Sequence, residues 1–167
     1  MYVGRIVAAG MTKSGIPSVL YRVSSRSFPN REAKLLSDKV SIVPKAGHEK
    51  DIFTNPYIAY NCLRIAGDWA VAANGSHTDP IAEKIISGMS PRDAFSLSMI
   101  TLDYEKDSYN TPRISAAVNG KEKKAVLGII RKDYLQVVEL NCEPGKLHYA
   151  ATYEHNFISD AHCDFNF

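Results

Sequence analysis

The sequence has few cysteines, and their spacing is not that of a structural site. Cysteine occurs three times in 167 residues, at positions 62, 142 and 163, and no two cysteines form a CxxC pair. An odd number without paired spacing argues against a disulfide framework and a structural zinc site. His148, His155 and His162, with Cys163 beside the last, also match no usual metal-ligand spacing, so we predict no metal site.

The chain also lacks a strong charge bias and a long apolar run. The formal net charge is +2, too small for the clustered basic surface that nucleic-acid binding requires. The N-terminal run MYVGRIVAAGM is interrupted by Arg5 and is too short for a signal-peptide core or a membrane span. We therefore expect a cytoplasmic protein, folded as a single domain over residues 1–167, with no nucleic-acid or membrane partner.

Local signatures of cofactor chemistry are missing as well. The sequence contains no GxGxxG, GxxxxGK[ST], GxSxG or HExxH motif. Dinucleotide, P-loop, hydrolase-elbow and zincin chemistries therefore lack their usual markers. Any reaction carried out by this chain is predicted to need no cofactor.

Hydrophobic patterning predicts strands, then helices, then strands. Strands are expected at 1–9, 18–26, 39–44, 57–66 and 68–73, the last two joined by a hairpin at Gly67 and Asp68. Asp79 and Ser90 are expected to cap two consecutive helices, and Gly88 to end the first. Strands return from 113, with a hairpin signal at residues 119–120, and continue at 135–140 and 147–153, before an irregular tail. This order predicts two packed sheets with helices outside.

The segment YRVSSRSFPNR (21–31) raises the question of what its arginines contact. In a strand, Arg22, Ser24 and Arg26 would share one face, as in an anion receptor. A solvated basic edge strand is the alternative, and this segment alone favours it. Arg31 lies beyond the break at Pro29 and is free to point elsewhere.

Three further segments offer polar groups with two interpretations each. Tyr60, among apolar residues, is either a core tyrosine or a functional hydroxyl. The turn NGSHTD, with Asn74 and His77, is either an ordinary helix entry or a place where backbone approaches a ligand. Glu105 follows the end of the second helix, where a carboxylate opposes the helix dipole, so it is either solvated or held by a partner such as arginine.

Five long segments, taken in order, carry a family resemblance: YRVSSRSFPNR, GHEKDIFTNPYIAYNC, NGSHTDPIAEKI, LDYEKDSYNTPRI and AAVNG. Together they resemble the archaeal type of IMP cyclohydrolase, densely up to about Gly120 and more thinly to about Glu154. The resemblance implies an α+β fold, a four-layered αββα sandwich like that of the N-terminal nucleophile hydrolases. It implies closure of the purine ring of 5-formamidoimidazole-4-carboxamide ribonucleotide to give IMP and water.

The resemblance also implies roles for individual residues. Arg31, Tyr60 and Glu105 match the family's active-site positions. Proximity to the same motifs assigns a second set to binding the purine ribonucleotide: Arg22, Arg26, Asn74, His77, Tyr104, Asn110 and Arg113. A homo-oligomer is expected.

Two departures shape these expectations. The chain begins Met1-Tyr2, and tyrosine cannot act as an N-terminal nucleophile, which disfavours an amidohydrolase of the same fold. The family continues into further helix-forming sequence beyond the irregular tail, so we expect a reduced C-terminal helical layer. This motivates an alternative function, a protein that binds purine nucleotides without turning them over.

Overall fold

A computed structural model describes residues 2–25 and 28–162, which form eleven strands and three α-helices. A short 3-10 turn, Pro56–Ile58, follows the first helix. The strands are β1 Ile6–Met11, β2 Pro17–Arg22, β3 Arg31–Leu35, β4 Lys39–Pro44, β5 Tyr60–Ala66, β6 Trp69–Ala73, β7 Arg113–Asn119, β8 Lys124–Arg131, β9 Tyr134–Asn141, β10 Lys146–Ala151 and β11 Ser159–His162. The helices are α1 Asp51–Thr54, α2 Thr78–Ile86 and α3 Pro91–Leu102.

The strands form two antiparallel sheets. The smaller sheet has the order β11-β10-β1-β2, and the larger has the order β3-β4-β5-β6-β7-β8-β9. In the smaller sheet β1 is central, with Ile6 opposite both Ala151 of β10 and Arg22 of β2. In the larger sheet β5 and β7 flank the central strand β6, and Arg113 of β7 lies opposite Ile130 of β8. Because β5 and β7 both run antiparallel to β6, their N-terminal ends lie at the same end of the larger sheet. Arg5, just before β1, interacts with Tyr60 and Glu105 and so lies at this end as well.

The two sheets stack face to face around an apolar layer. Val7, Ala9 and Met11 alternate along β1 and belong to one buried cluster with Ile114 and Leu127 of the larger sheet. This period of two is what a strand with one buried face requires. At about 25 cal/mol per Å² of apolar surface removed from water, this layer is a main source of stability.

Helices α2 and α3 cover the other face of the larger sheet. Ile81 of α2 and Phe95 and Met99 of α3 are fully buried against Val71 and Val126. Over the described residues, the order of layers is therefore helix, seven-stranded sheet, four-stranded sheet.

A glycine in β8 permits the close contact between α3 and the sheet. A Cβ atom at Gly128 would lie 2.5 Å from the Met99 sulfur and 3.0 Å from Phe95. Such distances are far below normal contact, so a side chain there would push α3 outward.

Most predicted elements are present, with differences at their ends. The hairpin at Gly67, both long helices and the strands after residue 113 are confirmed. The Ser90 side chain accepts a hydrogen bond from the Asp93 N–H, as a helix cap does. Asp79 does not cap α2. It lies in the first turn, and its carboxylate instead accepts hydrogen bonds from Asn61 and Arg64.

Three elements differ from prediction more strongly. The strand predicted at 18–26 ends at Arg22, so the face shared with Ser24 does not form, and Arg26 lies outside the described residues. Strand β3 was not predicted, and part of the tail predicted to be irregular forms β11. Within the described ranges, no helix is long and apolar enough to cross a membrane.

Candidate active site

Six polar side chains come together at the end of the sheets where β1, β5 and β7 begin. We call them the polar cluster, and they interact with one another by hydrogen bonds or charge. Because they come from six different segments, only the folded chain brings them together. Its members are Arg5, Tyr21, Arg31, Tyr60, Glu105 and Arg113.

Two tyrosines meet across the space between the sheets. Tyr21 is near the end of β2 and Tyr60 begins β5, and their hydroxyl oxygens are 2.5 Å apart. Tyr60 is 8% exposed and packs against Ile42 and Cys62. Burial raises the pKa of Tyr60, while the hydrogen bond with Tyr21 and the charge of Arg5 act in the opposite direction. The ring of Tyr60 is thus part of the core, and its hydroxyl lies in the polar cluster.

Arg31 is anchored by main-chain oxygens. Its Nε atom donates to the Phe28 carbonyl at 3.2 Å, and one terminal nitrogen donates to the Ile58 carbonyl at 3.3 Å. These bonds hold the guanidinium near the start of β5, where its positive charge lowers the pKa of Tyr60. These two bonds also leave other N–H groups of the guanidinium to donate to another group.

Glu105 is a buried carboxylate among cations. It is 1% exposed, its Oε1 atom is 3.6 Å from a terminal nitrogen of Arg113, and its N–H donates to the Thr111 carbonyl. Burial raises its pKa to about 7, although the positive charges of Arg5 and Arg113 lower it. A carboxyl group with a pKa near neutrality can give or take a proton at physiological pH. Of the two interpretations, the one in which arginine holds Glu105 is confirmed.

Arg113 is held from several sides. Its Nε atom donates to the Asp103 carbonyl at 2.7 Å, and its side chain is 5% exposed. A Cβ atom on Gly75 would lie 2.7 Å from its Nη1 atom and 3.3 Å from Glu105 Oε1. The glycine of the NGSHTD turn therefore allows close packing of the ion pair, which is a protein contact rather than a ligand contact.

Arg5 is the cation that links the parts of the cluster. It immediately precedes β1, and its Nε atom is buried without a hydrogen-bond partner among the described residues. Burial disfavours its charged form, but Glu105 and the hydroxyls of Tyr60 and Tyr21 nevertheless raise its pKa. Arg5 is therefore a permanent positive charge between the carboxylate and the two phenols.

A cavity of about 310 Å³ adjoins the cluster. Arg5 lines it, together with Tyr2, Phe28, Asp107 and Tyr153. Its volume is at the lower end of small-molecule sites, and the mixture of aromatic rings with a few charged groups is typical of them. The ring of Tyr153 stacks on Tyr2, with centroids 5.5 Å apart, which gives this wall a flat aromatic surface.

The remaining predicted binding residues lie in different surroundings. Asn74 and His77 are fully buried, and their side chains bond main-chain groups at the start of β7. Burial also lowers the pKa of His77 to about 3, which keeps it neutral. The Lys106 ammonium nitrogen lies over the Tyr104 ring, 3.5 Å from the ring centroid. Asn110 is exposed and lines a second cavity beside the first.

Arg22 is not brought to the cluster. It is exposed, and since Tyr21 faces the space between the sheets, its neighbour in the strand points to the opposite side. Among the predicted site residues that the structure describes, the polar cluster therefore contains Arg31, Tyr60, Glu105 and Arg113.

Sequence reasoning missed four residues of this region. Arg5 and Tyr21 belong to the cluster, while Asp107 and Tyr153 line the cavity. Arg5 did carry a signal, because an arginine inside an otherwise apolar strand entry needs a partner. Tyr21 and Tyr153 carried none, since they reach this region through packing of the two sheets, and Asp107 lies in the loop between α3 and β7 without a signal of its own.

Comparison with known proteins identifies the family. The family model described as IMP cyclohydrolase-like protein matches residues 2–166. The chain belongs to the IMP cyclohydrolase-like family. Within it, the chain is 51% identical over 156 residues to the IMP cyclohydrolase of Methanosphaera stadtmanae, covering 93% of this chain and 75% of the relative. It is 49% identical to that of Methanococcus maripaludis strain C5, covering 95% and 81%. For Methanocaldococcus jannaschii the identity is 46%, covering 92% and 73%.

Proposed function

We propose that this member of the IMP cyclohydrolase-like family is an IMP cyclohydrolase, closing 5-formamidoimidazole-4-carboxamide ribonucleotide to IMP and water. The observation that carries the proposal is the polar cluster. One buried carboxyl group with a pKa near 7 faces guanidinium groups, and a phenol pair lies beside them. Identity of about half to curated IMP cyclohydrolases, over more than nine tenths of the chain, supports the same conclusion.

The reaction requires positioning and proton transfer. The carboxamide nitrogen of the substrate attacks its formyl carbon, and a new C–N bond closes the six-membered ring. The formyl oxygen then leaves as water, taking up one proton from the carboxamide nitrogen and one from the formamido nitrogen. Because both reacting groups belong to one molecule, holding it in the reactive conformation supplies much of the rate.

We assign proton transfer to Glu105. As a carboxylate it can accept the proton of the attacking carboxamide nitrogen, and its raised pKa makes it a stronger base than an exposed glutamate. Arg113 and Arg5 keep enough of it ionised near neutral pH, because each lowers its pKa.

We assign stabilisation of the formyl oxygen to Tyr60 and Arg31. The oxygen gains negative charge as the nitrogen attacks, and fixed donors in a water-poor site stabilise such charge. Tyr60 is buried, with 8% of the residue exposed, and Arg31 is fixed by two carbonyls. Arg5, which lines the cavity, adds a further positive charge.

The direct test follows IMP formation from the formamido ribonucleotide. Purified protein is expected to form IMP well above the uncatalysed rate. Binding of IMP by calorimetry without any turnover would contradict the proposal and favour a nucleotide-binding protein.

A variant separates the role of Tyr60 from its packing. Tyr60→Phe removes one hydroxyl and keeps the ring, so we expect kcat to fall roughly a hundredfold with little change in KM. Circular dichroism and thermal unfolding control for folding. A folded variant with wild-type kcat would remove Tyr60 from the mechanism.

For the architecture, we propose the N-terminal nucleophile hydrolase type of layering. Two stacked antiparallel sheets with helices outside the larger one support it. An experimental structure in which the sheets pack with a different connectivity would contradict it.

A further inference from the structure

Tyr21 is the one hydroxyl in direct hydrogen-bond contact with Tyr60 within residues 2–25 and 28–162. The 2.5 Å separation requires one hydroxyl to donate to the other, since two oxygens cannot approach so closely without a hydrogen between them. The direction of this bond decides where the Tyr60 hydrogen points. If Tyr21 donates, the Tyr60 hydrogen is free; if Tyr60 donates, it is used inside the protein.

The role proposed for Tyr60 requires Tyr21 to be the donor, because a Tyr60 hydroxyl that donated to Tyr21 would have no hydrogen left for the substrate. The positive charges of Arg5 and Arg31 both lower the pKa of Tyr60. Of these two guanidinium groups, Arg5 is the one that lowers the pKa of Tyr21. Neither guanidinium can accept a hydrogen bond, so the Tyr21 hydroxyl is the neighbour that decides where the Tyr60 hydrogen points.

From this geometry, and resting on the function proposed above, we propose that Tyr21 is a positioning residue that acts through Tyr60. Its hydroxyl donates to the Tyr60 oxygen and thereby directs the Tyr60 O–H toward the formyl oxygen of the substrate. It also polarises that O–H, because a hydrogen bond accepted by an oxygen strengthens the one that the oxygen donates. Tyr21 itself does not contact the reacting atoms.

The test is a double-mutant cycle on kcat, measured in single turnover with excess enzyme. The four proteins are wild type, Tyr21→Phe, Tyr60→Phe and the double variant. Tyr21→Phe alone is expected to lower kcat about tenfold, with KM changed less than threefold, as for loss of one charge-assisted hydrogen bond. In the Tyr60→Phe background, adding Tyr21→Phe is expected to change kcat less than twofold, because the oxygen that Tyr21 orients is gone.

A matched control is Tyr134→Phe. The Tyr134 hydroxyl also makes a 2.5 Å hydrogen bond, to Gln136, but on β9, four strands from β5 and hence about 19 Å away. This variant is expected to keep wild-type kcat. IMP binding by calorimetry checks that each variant has a formed site.

The outcomes separate the two proposals. A wild-type protein without cyclisation contradicts the proposed function, and a Tyr60→Phe variant with normal kcat contradicts the role of Tyr60. With both of these as expected, a Tyr21→Phe variant with wild-type kcat overturns the positioning role. So do effects that multiply in the double variant, since Tyr21 would then act independently of Tyr60. A Tyr21→Phe variant that does not bind IMP also overturns it, because the hydroxyl would then be needed for the site to form.

Discussion

The buried carboxyl group of Glu105 makes stability depend on pH in the direction opposite to that expected for its proposed role in catalysis. Its carboxyl group has a pKa of about 7 in the folded protein, against 4.5 as the ordinary value. The folded state therefore binds this proton more tightly than the unfolded chain does. The stabilisation is fully present below pH 4.5 and is lost as the pH rises to about 7. The difference corresponds to about 3 kcal/mol at 1.4 kcal/mol per pH unit.

The variant Glu105→Gln isolates this effect, because glutamine resembles the protonated acid and does not titrate. At pH 8 we expect the variant to be more stable than wild type by up to about 3 kcal/mol, and at pH 4.5 to be nearly equal to it. Urea denaturation followed by circular dichroism, repeated from pH 4.5 to 8, measures the difference. A difference that does not change across this range would refute the assignment of a raised pKa.

The same group predicts how activity depends on pH. If Glu105 accepts a proton as a carboxylate, wild-type kcat/KM should fall about tenfold for each unit below pH 7. Glu105→Gln should lose cyclisation at every pH while it gains stability at pH 8. The ionised form that is needed for the reaction is thus the form that destabilises the fold.

Two further predictions follow from neighbours of this carboxylate. Arg5→Gln should move the acidic limb of kcat/KM to higher pH, because Arg5 lowers the pKa of Glu105. Arg22→Gln is the control for this pH profile, since Arg22 is exposed and points away from the polar cluster. An equal shift of the acidic limb in both variants would contradict the effect of Arg5 on Glu105. Gly75→Ala should lower the free energy of unfolding by about 1–3 kcal/mol, because its Cβ would meet a guanidinium nitrogen at 2.7 Å. For Gly120→Ala the nearest atom would be 3.4 Å away, so little change is expected in the same denaturation experiment.

The sequence predicted the parts of the fold that carry strong local signals. Gly67 has a positive φ of 64°, as its hairpin requires, and Ser90 has the hydroxyl that a helix start uses. Strand β3 was missed because its side chains are largely exposed, so REAKL has no apolar face to reveal it. Strand β11, with SDAH, escaped prediction for the same reason. Edge strands with little burial are fixed by pairing with a neighbour, not by their own pattern.

The site was predictable to the extent that its residues lie in recognisable motifs. Arg31, Tyr60 and Glu105 were found through the resemblance of their segments to one family. Tyr21 was not found, although it lies in the first of those segments. The sequence around a tyrosine in a strand does not show which strand of the other sheet that tyrosine will contact. The contact with Tyr60 depends on how two sheets stack, which is a long-range property of the whole chain.

Pairing of β1 with β10 has a consequence for how the enzyme is made. These strands come from opposite ends of the described chain, with Ile6 opposite Ala151, and Arg5 and Tyr153 flank them at the cavity. A nascent chain therefore has no cavity wall until β10 has left the ribosome, and no shorter N-terminal fragment should have activity. For the same reason, loss of activity in denaturant should coincide with loss of tertiary structure, which makes turnover a reporter of the native fraction.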